Sequence, residues 1–379
     1  MNFELSLDHK VLQSAVRDFV EKEIKPIAIK IDEEHMIPDA LVRKMGEMGF
    51  LGSCLPEEYG GAGLDMLSYA IVVEEVSKAC GSSGVLISAH TSLASGPIHI
   101  FGTEEQKKKW LPALNSGDTI GCFLLTEPDA GSDAGGMSTI YKREGDHFVI
   151  NGSKNFITNG GYLGTGVLMA SYDRSLKHKG ISAFIVDLKS AGVTVLKNEN
   201  KMGIRGSYTT AFAFDNLRVP VENMLGQEGK GFNIAMDTLN GGRIGIASQA
   251  LGIAEGAFER ALAYSKERKQ FGQAISEFQG IQFKLADMWT RIEASKLLTY
   301  RAACLKDAGK SYIMESAMCK MHASETATFV TKEAIQIHGG YGYIVDYEVE
   351  RMYRDARITE IYEGTNEVQR VVISKLLLS

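Results

Sequence analysis

Two changes of hydrophobic period constrain this chain more than any single motif. Up to about Ile120, apolar residues recur at helical spacing; beyond it they alternate in short runs divided by turns; after Gly229 and Gly231 the helical period returns and lasts to the end. In the first stretch Leu12, Ala15, Val16, Phe19 and Val20 share one helix face that Pro26 closes. A second helix starts near Pro38 with Leu41, Met45 and Met48 on one side before Gly49. The pattern predicts further helices over 64–78 and 85–101, and another from Thr103, where Gln106 completes a capping box. In the middle stretch, strands are predicted at 121–125, 139–143, 147–151, 167–172, 181–187, 193–196 and 210–214, with Glu144-Gly145-Asp146 as a hairpin turn. Without helical crossovers these make an antiparallel barrel or sandwich rather than a doubly wound parallel sheet. The last stretch reads as three helices of roughly thirty residues, the main members of an antiparallel bundle. One spans much of 234–271, bending near Gly241-Gly242, and the others cover 278–307 and 313–337. The expected organisation is therefore α+β: a helical domain over 1–119, a β domain over 120–228 and a helical bundle over 229–379.

Composition excludes several classes. A formal net charge of −6 argues against nucleic acid or an anionic membrane as the main partner. The five cysteines stand apart with no Cys-x-x-Cys pair, which fits a reducing compartment and suggests a cytoplasmic protein. The N-terminus does not read as a signal peptide, and the most apolar run, 85–101, is too short to span a bilayer. No dinucleotide fingerprint, Walker loop, nucleophile elbow or His-Glu-x-x-His occurs, and His90, His99 and His338 read as structural.

What remains is a set of glycine-rich polar loops and one acid. Thr126 to Asp133 follows an apolar strand, its small residues leaving backbone N–H groups available to an anionic or heteroaromatic ligand. Phe156-Ile157-Thr158-Asn159-Gly160-Gly161 sets an aromatic ring and a hydroxyl beside a tight turn, and Gln336 to Gly342 closes the third bundle helix among aromatic residues. Near the C-terminus, Ile361-Tyr362-Glu363-Gly364-Thr365-Asn366-Glu367 places an acid at a chain break between two helices, with Thr365 as N-cap. By themselves these residues read most simply as turns and a solvated loop acid. Together they supply a ligand cradle, stacking surfaces and an acid among apolar groups, as a carbanion-forming redox enzyme requires.

In this order the loops resemble the acyl-CoA dehydrogenases, most closely the short-chain or butyryl-CoA branch. The matching pieces run from Leu125-Thr126-Glu127-Pro128, Ala130-Gly131-Ser132-Asp133, Asn151-Gly152-Ser153-Lys154 and Ile157-Thr158-Asn159-Gly160 to Gly241-Gly242-Arg243 and Glu267-Arg268-Lys269-Gln270-Phe271-Gly272. They continue through 336–343 and Met352-Tyr353-Arg354-Asp355-Ala356 to Ile361-Tyr362-Glu363-Gly364-Thr365, covering essentially the whole chain.

The resemblance implies FAD, its ring contacted by Phe123, Leu124, Leu125 and Thr126 and by Phe156, Ile157 and Thr158. Arg268, Gln279, Gln336, Ile337, His338, Gly339 and Gly340 match positions that hold the nucleotide across a subunit interface, and Thr365, Asn366 and Glu367 match further FAD contacts. Ser132, also matching a cofactor position, falls with Asn240, Gly241, Gly242, Arg243 and Gly364 near the acyl-CoA. Glu363 matches the catalytic base that takes the α proton while the β hydride leaves for flavin N5. Some relatives carry that carboxylate at the position of Gly242, which here has no side chain. Phe156 stands where many members have Trp, keeping a stacking ring without the indole N–H. The implied activity is α,β-dehydrogenation of a short-chain acyl-CoA, with electrons passed to electron-transfer flavoprotein, in a homo-oligomer expected to be a tetramer. The alternatives are a dehydrogenase, or an enoyl-CoA reductase, for branched or cyclic acyl-CoA, a catalytically silent scaffold or CoA-binding subunit, and an oxidase.

Overall fold

A computed structural model describes residues 4–379. The N-terminal helices are Leu7–Phe19 (α1), Ala28–Glu34 (α2), Asp39–Glu47 (α3), Met66–Ala79 (α4), Gly81–Ser88 (α5), Gly96–Phe101 (α6) and Glu104–Ser116 (α7). Pro26 does not end the first helical path. A π-turn over Val20–Ile24 and a 3-10 turn over Lys25–Ile27 carry it into α2, placing the proline at a turn start where its missing N–H leaves no bond unmade. The run 85–101 is likewise not one regular helix, because a π-helical segment, Ala89–Ser95, joins α5 to α6. The capping box before α7 forms as expected: Thr103 Oγ1 accepts from Gln106 N–H and Gln106 Oε1 from Thr103 N–H, at 3.2 and 3.0 Å.

The strands are Cys122–Leu124 (β1), Ile140–Glu144 (β2), His147–Thr158 (β3), Thr165–Ser171 (β4), Ile181–Asp187 (β5), Val193–Asn198 (β6), Thr209–Pro220 (β7) and Met224–Leu225 (β8). They form one sheet in the order β6-β7-β3-β2-β4-β5-β8, with β1 beside β4. Two pairings depart from the expected antiparallel pattern: β1 runs parallel to β4, and β2 meets it through a parallel bridge at Ile140 and Ser171. A period-two pattern cannot reveal strand direction, which is set by the long connections between these strands. All seven residues of β4 are buried. Leu168 and Ala170 pack into a core within the sheet, while Val167 and Met169 join Leu111, Leu114, Ile234 and Ala235 of flanking helices. The β region is thus clamped to helices on one face.

The last third contains Gly231–Glu267 (α8), Gln279–Asp307 (α9), Ile313–His338 (α10), Val349–Ile358 (α11) and Asn366–Leu378 (α12). The first of these runs unbroken through Gly241-Gly242 for 37 residues. A stripe of small residues (Ala247, Ala250, Ala254, Ala257, Ala261) is buried in the largest core, which α8 shares with α4, α9 and α10. Close backbone approach there fixes the position of residues 240–243 relative to the C-terminal loop.

Candidate functional site

The loop between α11 and α12 is built on two consecutive left-handed residues, Glu363 at φ 52° and Gly364 at φ 90°. Gly364 fits because any Cβ there would lie 2.7 Å from Gln369 Nε2. A glutamate in this region is uncommon and persists only where its surroundings hold it. They do: Lys320 Nζ and Gln369 Nε2 both donate to the Gly364 carbonyl, at 2.9 and 2.8 Å. Thr365 caps α12 through Val368 N–H at 3.4 Å. Asn366 is buried, its Oδ1 accepting from Lys320 Nζ and its Nδ2 donating to Ser324 Oγ, both at 3.0 Å, while Glu367 is exposed in the first turn.

This clamped backbone points the Glu363 side chain at α8. A methyl group on Gly242 would sit 2.2 Å from Glu363 Oε2 and 2.7 Å from Leu93 of the π-helical segment. Residue 242 must therefore be glycine for Glu363 to adopt this position, and one chain cannot carry both carboxylates in this arrangement. The residue as a whole is half-buried, but Oε2 is sealed and has no hydrogen-bond partner. Burial pushes the carboxyl up to about 8, against the pull of the cations Lys320 and Arg243. Arg243, 5% exposed, donates from Nη1 to Asn240 Oδ1 at 2.8 Å, and its Nε is buried without a partner. An ionisable oxygen held dry, unpartnered and basic among apolar groups suits proton abstraction from carbon.

The strand-side residues lie on β1, β3 and the loops that follow them. The π-helical segment Ala89–Ser95 packs against both β1 and α8 and so links these strands to the helix that carries Gly242. Leu124 and Leu125 are core residues, Ile157 is 2% exposed, and Phe123, Thr126 and Thr158 are half-buried. Between Lys154 and Ile157 the β3–β7 register breaks, and Phe156 takes φ 58° with 59% of its surface exposed. The bulge turns an aromatic ring out of the core, leaving it free to stack on a planar ligand. Beneath it, buried Lys154 donates to Leu125 O at 3.0 Å and Glu127 Oε1 at 2.7 Å, tying the 125–127 loop to β3. Ser132 opens onto a cleft of about 670 Å³ that Arg174, Lys177, His178 and Phe232 also line.

The remaining matched residues gather elsewhere. Arg268 stacks over Tyr341 at 5.5 Å; Gln279 and Gln336 are exposed; and a Cβ on Gly339 or Gly340 would meet open space. Ile337 is in the core, and His338 is held by Ala334 O at 2.8 Å and by stacking on Tyr264. These two contribute no free side chain. At ~1.5 Å per residue, about 40 Å of α8 separates Gly242 from Arg268, so the chain does not bring this cluster to Glu363. His90 is satisfied as expected, with Nε2 donating to Leu114 O and Nδ1 accepting from Gly121 N–H. Among the described residues, no group of three or more His, Cys, Asp or Glu is placed to hold a metal ion.

The sequence motifs point to neither Lys320 nor Leu93, and they mark Lys154 only as part of a matched piece, without a role. Lys320 carried a usable signal: it sits on α10 between Ser316, Ala317, Ala323 and Ser324, a charge on a face of small buried residues.

The comparisons cover the whole chain. Models described as acyl-CoA dehydrogenase N-terminal, middle and C-terminal domains match residues 6–118, 122–217 and 229–378. A Clostridium acetobutylicum protein named short-chain specific acyl-CoA dehydrogenase is 55% identical over 374 residues, 99% of each chain. Butyryl-CoA dehydrogenase from Megasphaera elsdenii superposes with a TM-score of 0.98 at 47% identity over 100% of both chains. A chain from the structural work on the electron transferring flavoprotein of Acidaminococcus fermentans and flavin-based electron bifurcation gives 0.98 at 51% identity, again over 100% of both.

Proposed function

Because the chain belongs to the acyl-CoA dehydrogenase family, an oxidoreductase family, we propose that it converts a short-chain acyl-CoA to the trans-2-enoyl-CoA, with Glu363 as the α-proton base. The observation that carries this reading is the sealed, unpartnered Glu363 Oε2 beside Gly242. An α C–H of a thioester is a weak acid, so its removal needs both a strong base and stabilisation of the developing oxyanion. Glu363 supplies the first through its dry carboxylate. Its own backbone N–H, on the left-handed residue that Lys320 and Gln369 hold in place, supplies a donor for the second. The cleft beside Ser132, with Arg174, Lys177, His178 and the Phe232 ring, suits the phosphates and adenine of CoA. A short acyl chain is favoured by the naming of the 55%-identical relative and the butyryl-CoA enzyme of the same fold.

The residues present fit FAD. The exposed ring of Phe156, the cationic Arg268 and the open glycines 339 and 340 suit a planar ring system and a polyphosphate. Phe123, Thr126, Phe156 and Thr158 would hold the flavin end; Arg268, Gln279, Gln336, Gly339 and Gly340 would hold the nucleotide end. When bound, FAD supplies the acceptor for the β hydride. The length of α8 that sets Arg268 apart from Gly242 and Glu363 supports a reading in which the two groups serve different sites, each nucleotide end being supplied by a second copy. A lone chain also exposes Phe271 at 94% and Tyr343 at 85%. We therefore assign a homo-oligomer, a tetramer by family resemblance, with electron-transfer flavoprotein as electron acceptor. The five cysteines, all unpaired, fit a cytoplasmic setting. The same reading divides the chain at 1–119, 120–228 and 229–379. No helix of the described residues is long and apolar enough to cross a membrane.

Anaerobic titration of the purified yellow protein with a panel of acyl-CoAs tests the substrate. Bleaching greatest with butyryl-CoA is expected; well-folded protein without flavin would sink the reading, and preferential bleaching by branched or cyclic acyl-CoA would move it to that class. Light scattering on the flavin-loaded protein is expected to give four copies, and a fully loaded monomer would contradict the shared site.

A further inference from the structure

The loop that carries the base is anchored by a lysine whose charge no part of this scheme yet uses. Lys320 has no exposed surface. Taking an ammonium out of water costs several kcal/mol, and leucine or methionine would fill α10 at that position without the penalty. The charge is directed at the loop: Nζ donates to Gly364 O at 2.9 Å and Asn366 Oδ1 at 3.0 Å, both neutral oxygens within three residues of Glu363. Ser324 Oγ shares the same Asn366 Oδ1 at 3.1 Å. The charge of Lys320 is therefore not neutralised by its direct hydrogen-bond acceptors, and it acts through space on the carboxylates nearby. Resting on the assignment of Glu363 as base, we propose that Lys320 is a positioning residue for it: the ammonium clamps the Gly364 carbonyl, so fixing the carboxylate, and its positive charge favours the ionised, proton-accepting form.

The surrounding charges set up a mutual pair. Burial pulls Lys320 down and Arg243 across on α8 opposes its charge, while the Glu363 carboxylate first, then Glu360 and Glu367, support it, so ammonium and carboxylate sustain one another. Glu363 in turn feels Lys320 from α10 and Arg243 from α8. The phenols of Tyr69 on α4 and Tyr362 on the loop are neutral groups that Glu363 pushes further up. Lys320 and Arg243 are thus the two cations acting on the base.

The test is the pH profile of kcat/KM for the FAD-loaded enzyme, with butyryl-CoA and an artificial dye as electron acceptor. In Lys320→Met the acid limb is expected to move alkaline by about one pH unit. Activity on the acid side then falls roughly tenfold and recovers above the limb, with little change in KM. Lys320→Gln keeps a donor for the Gly364 carbonyl without the charge. It is expected to move the limb equally while keeping more of the high-pH plateau, which separates clamp from charge. A purely structural lysine would lower flavin content or stability and leave the limb in place. An unmoved limb in whichever variant retains flavin overturns the proposal, and Lys320→Gln carries the test if Lys320→Met does not fold. Glu363→Gln separates the two readings. If that variant still reduces flavin, the base assignment falls; if it is inert while the Lys320 variants keep the wild-type limb, only the role of Lys320 falls.

Discussion

Glu363→Gln is expected to retain flavin and fold, yet to lose flavin bleaching by butyryl-CoA and to turn over roughly 10³- to 10⁴-fold more slowly. The side chain keeps its volume against Gly242 and Leu93, where a methyl group on residue 242 would already come within 2.2 Å of Oε2. What is lost is the oxygen able to take a proton. In the wild type, kcat/KM should rise with pH through about 8, where burial has placed the carboxyl, because only the ionised form is a base. The same substitution has a stability signature of opposite sign. A carboxyl raised from 4.5 to about 8 on folding binds its proton more tightly in the native state. Its contribution is therefore present at low pH and lost as pH rises across that window. At pH 8 the wild type carries this penalty and Glu363→Gln does not, so the inactive variant should melt at a higher temperature than the wild type. Equal melting together with unchanged bleaching would place the base elsewhere.

The legible parts of this molecule are those in which local chemistry and tertiary structure agree. Thr103 and Gln106 form their box, Thr365 caps α12, and the strand at 181–187 occupies the residues its pattern marks, because each depends on neighbours in sequence. Where contacts are distant the sequence is mute. Neither the parallel pairing of β1 with β4 nor the extension of β3 to Thr158 and β7 to Pro220 is marked by alternation, since these strands are buried on both faces or broken by bulges. The π-helical segment 89–95 is invisible to a 3.6-residue period, yet it presents Leu93 to Gly242 and packs on β1, linking the helix beside Glu363 to the strands. Glu363 itself could be singled out as an acid at a chain break. Its left-handed backbone, its missing partner and the lysine beneath it required the fold.

Lys154→Met is expected to destabilise the protein by about 3–5 kcal/mol. Lys154 and Glu127 have 0% and 1% of their side chains exposed and meet at 2.7 Å. Removing the lysine leaves a buried carboxylate with only Ser138 and Thr139 as donors. Burial alone would raise Glu127, but the Lys154 charge and these hydrogen bonds hold it down at about 2. The stability it contributes is thus complete above its ordinary value of 4.5 and declines only as pH falls toward 2. Lys154 also donates to the Leu125 carbonyl, so the variant should loosen the 125–127 loop and release flavin before it unfolds. Thermal scanning that follows flavin fluorescence and circular dichroism together would show the two events separating. In the double variant Lys154→Met with Glu127→Gln the stranded charge is gone, and most of the stability is expected to return. Flavin retention should stay impaired, because the tether from β3 to the Leu125 carbonyl is still absent. If the double variant instead melts as low as Lys154→Met, the lysine acts through that carbonyl and packing, and the ion pair contributes little.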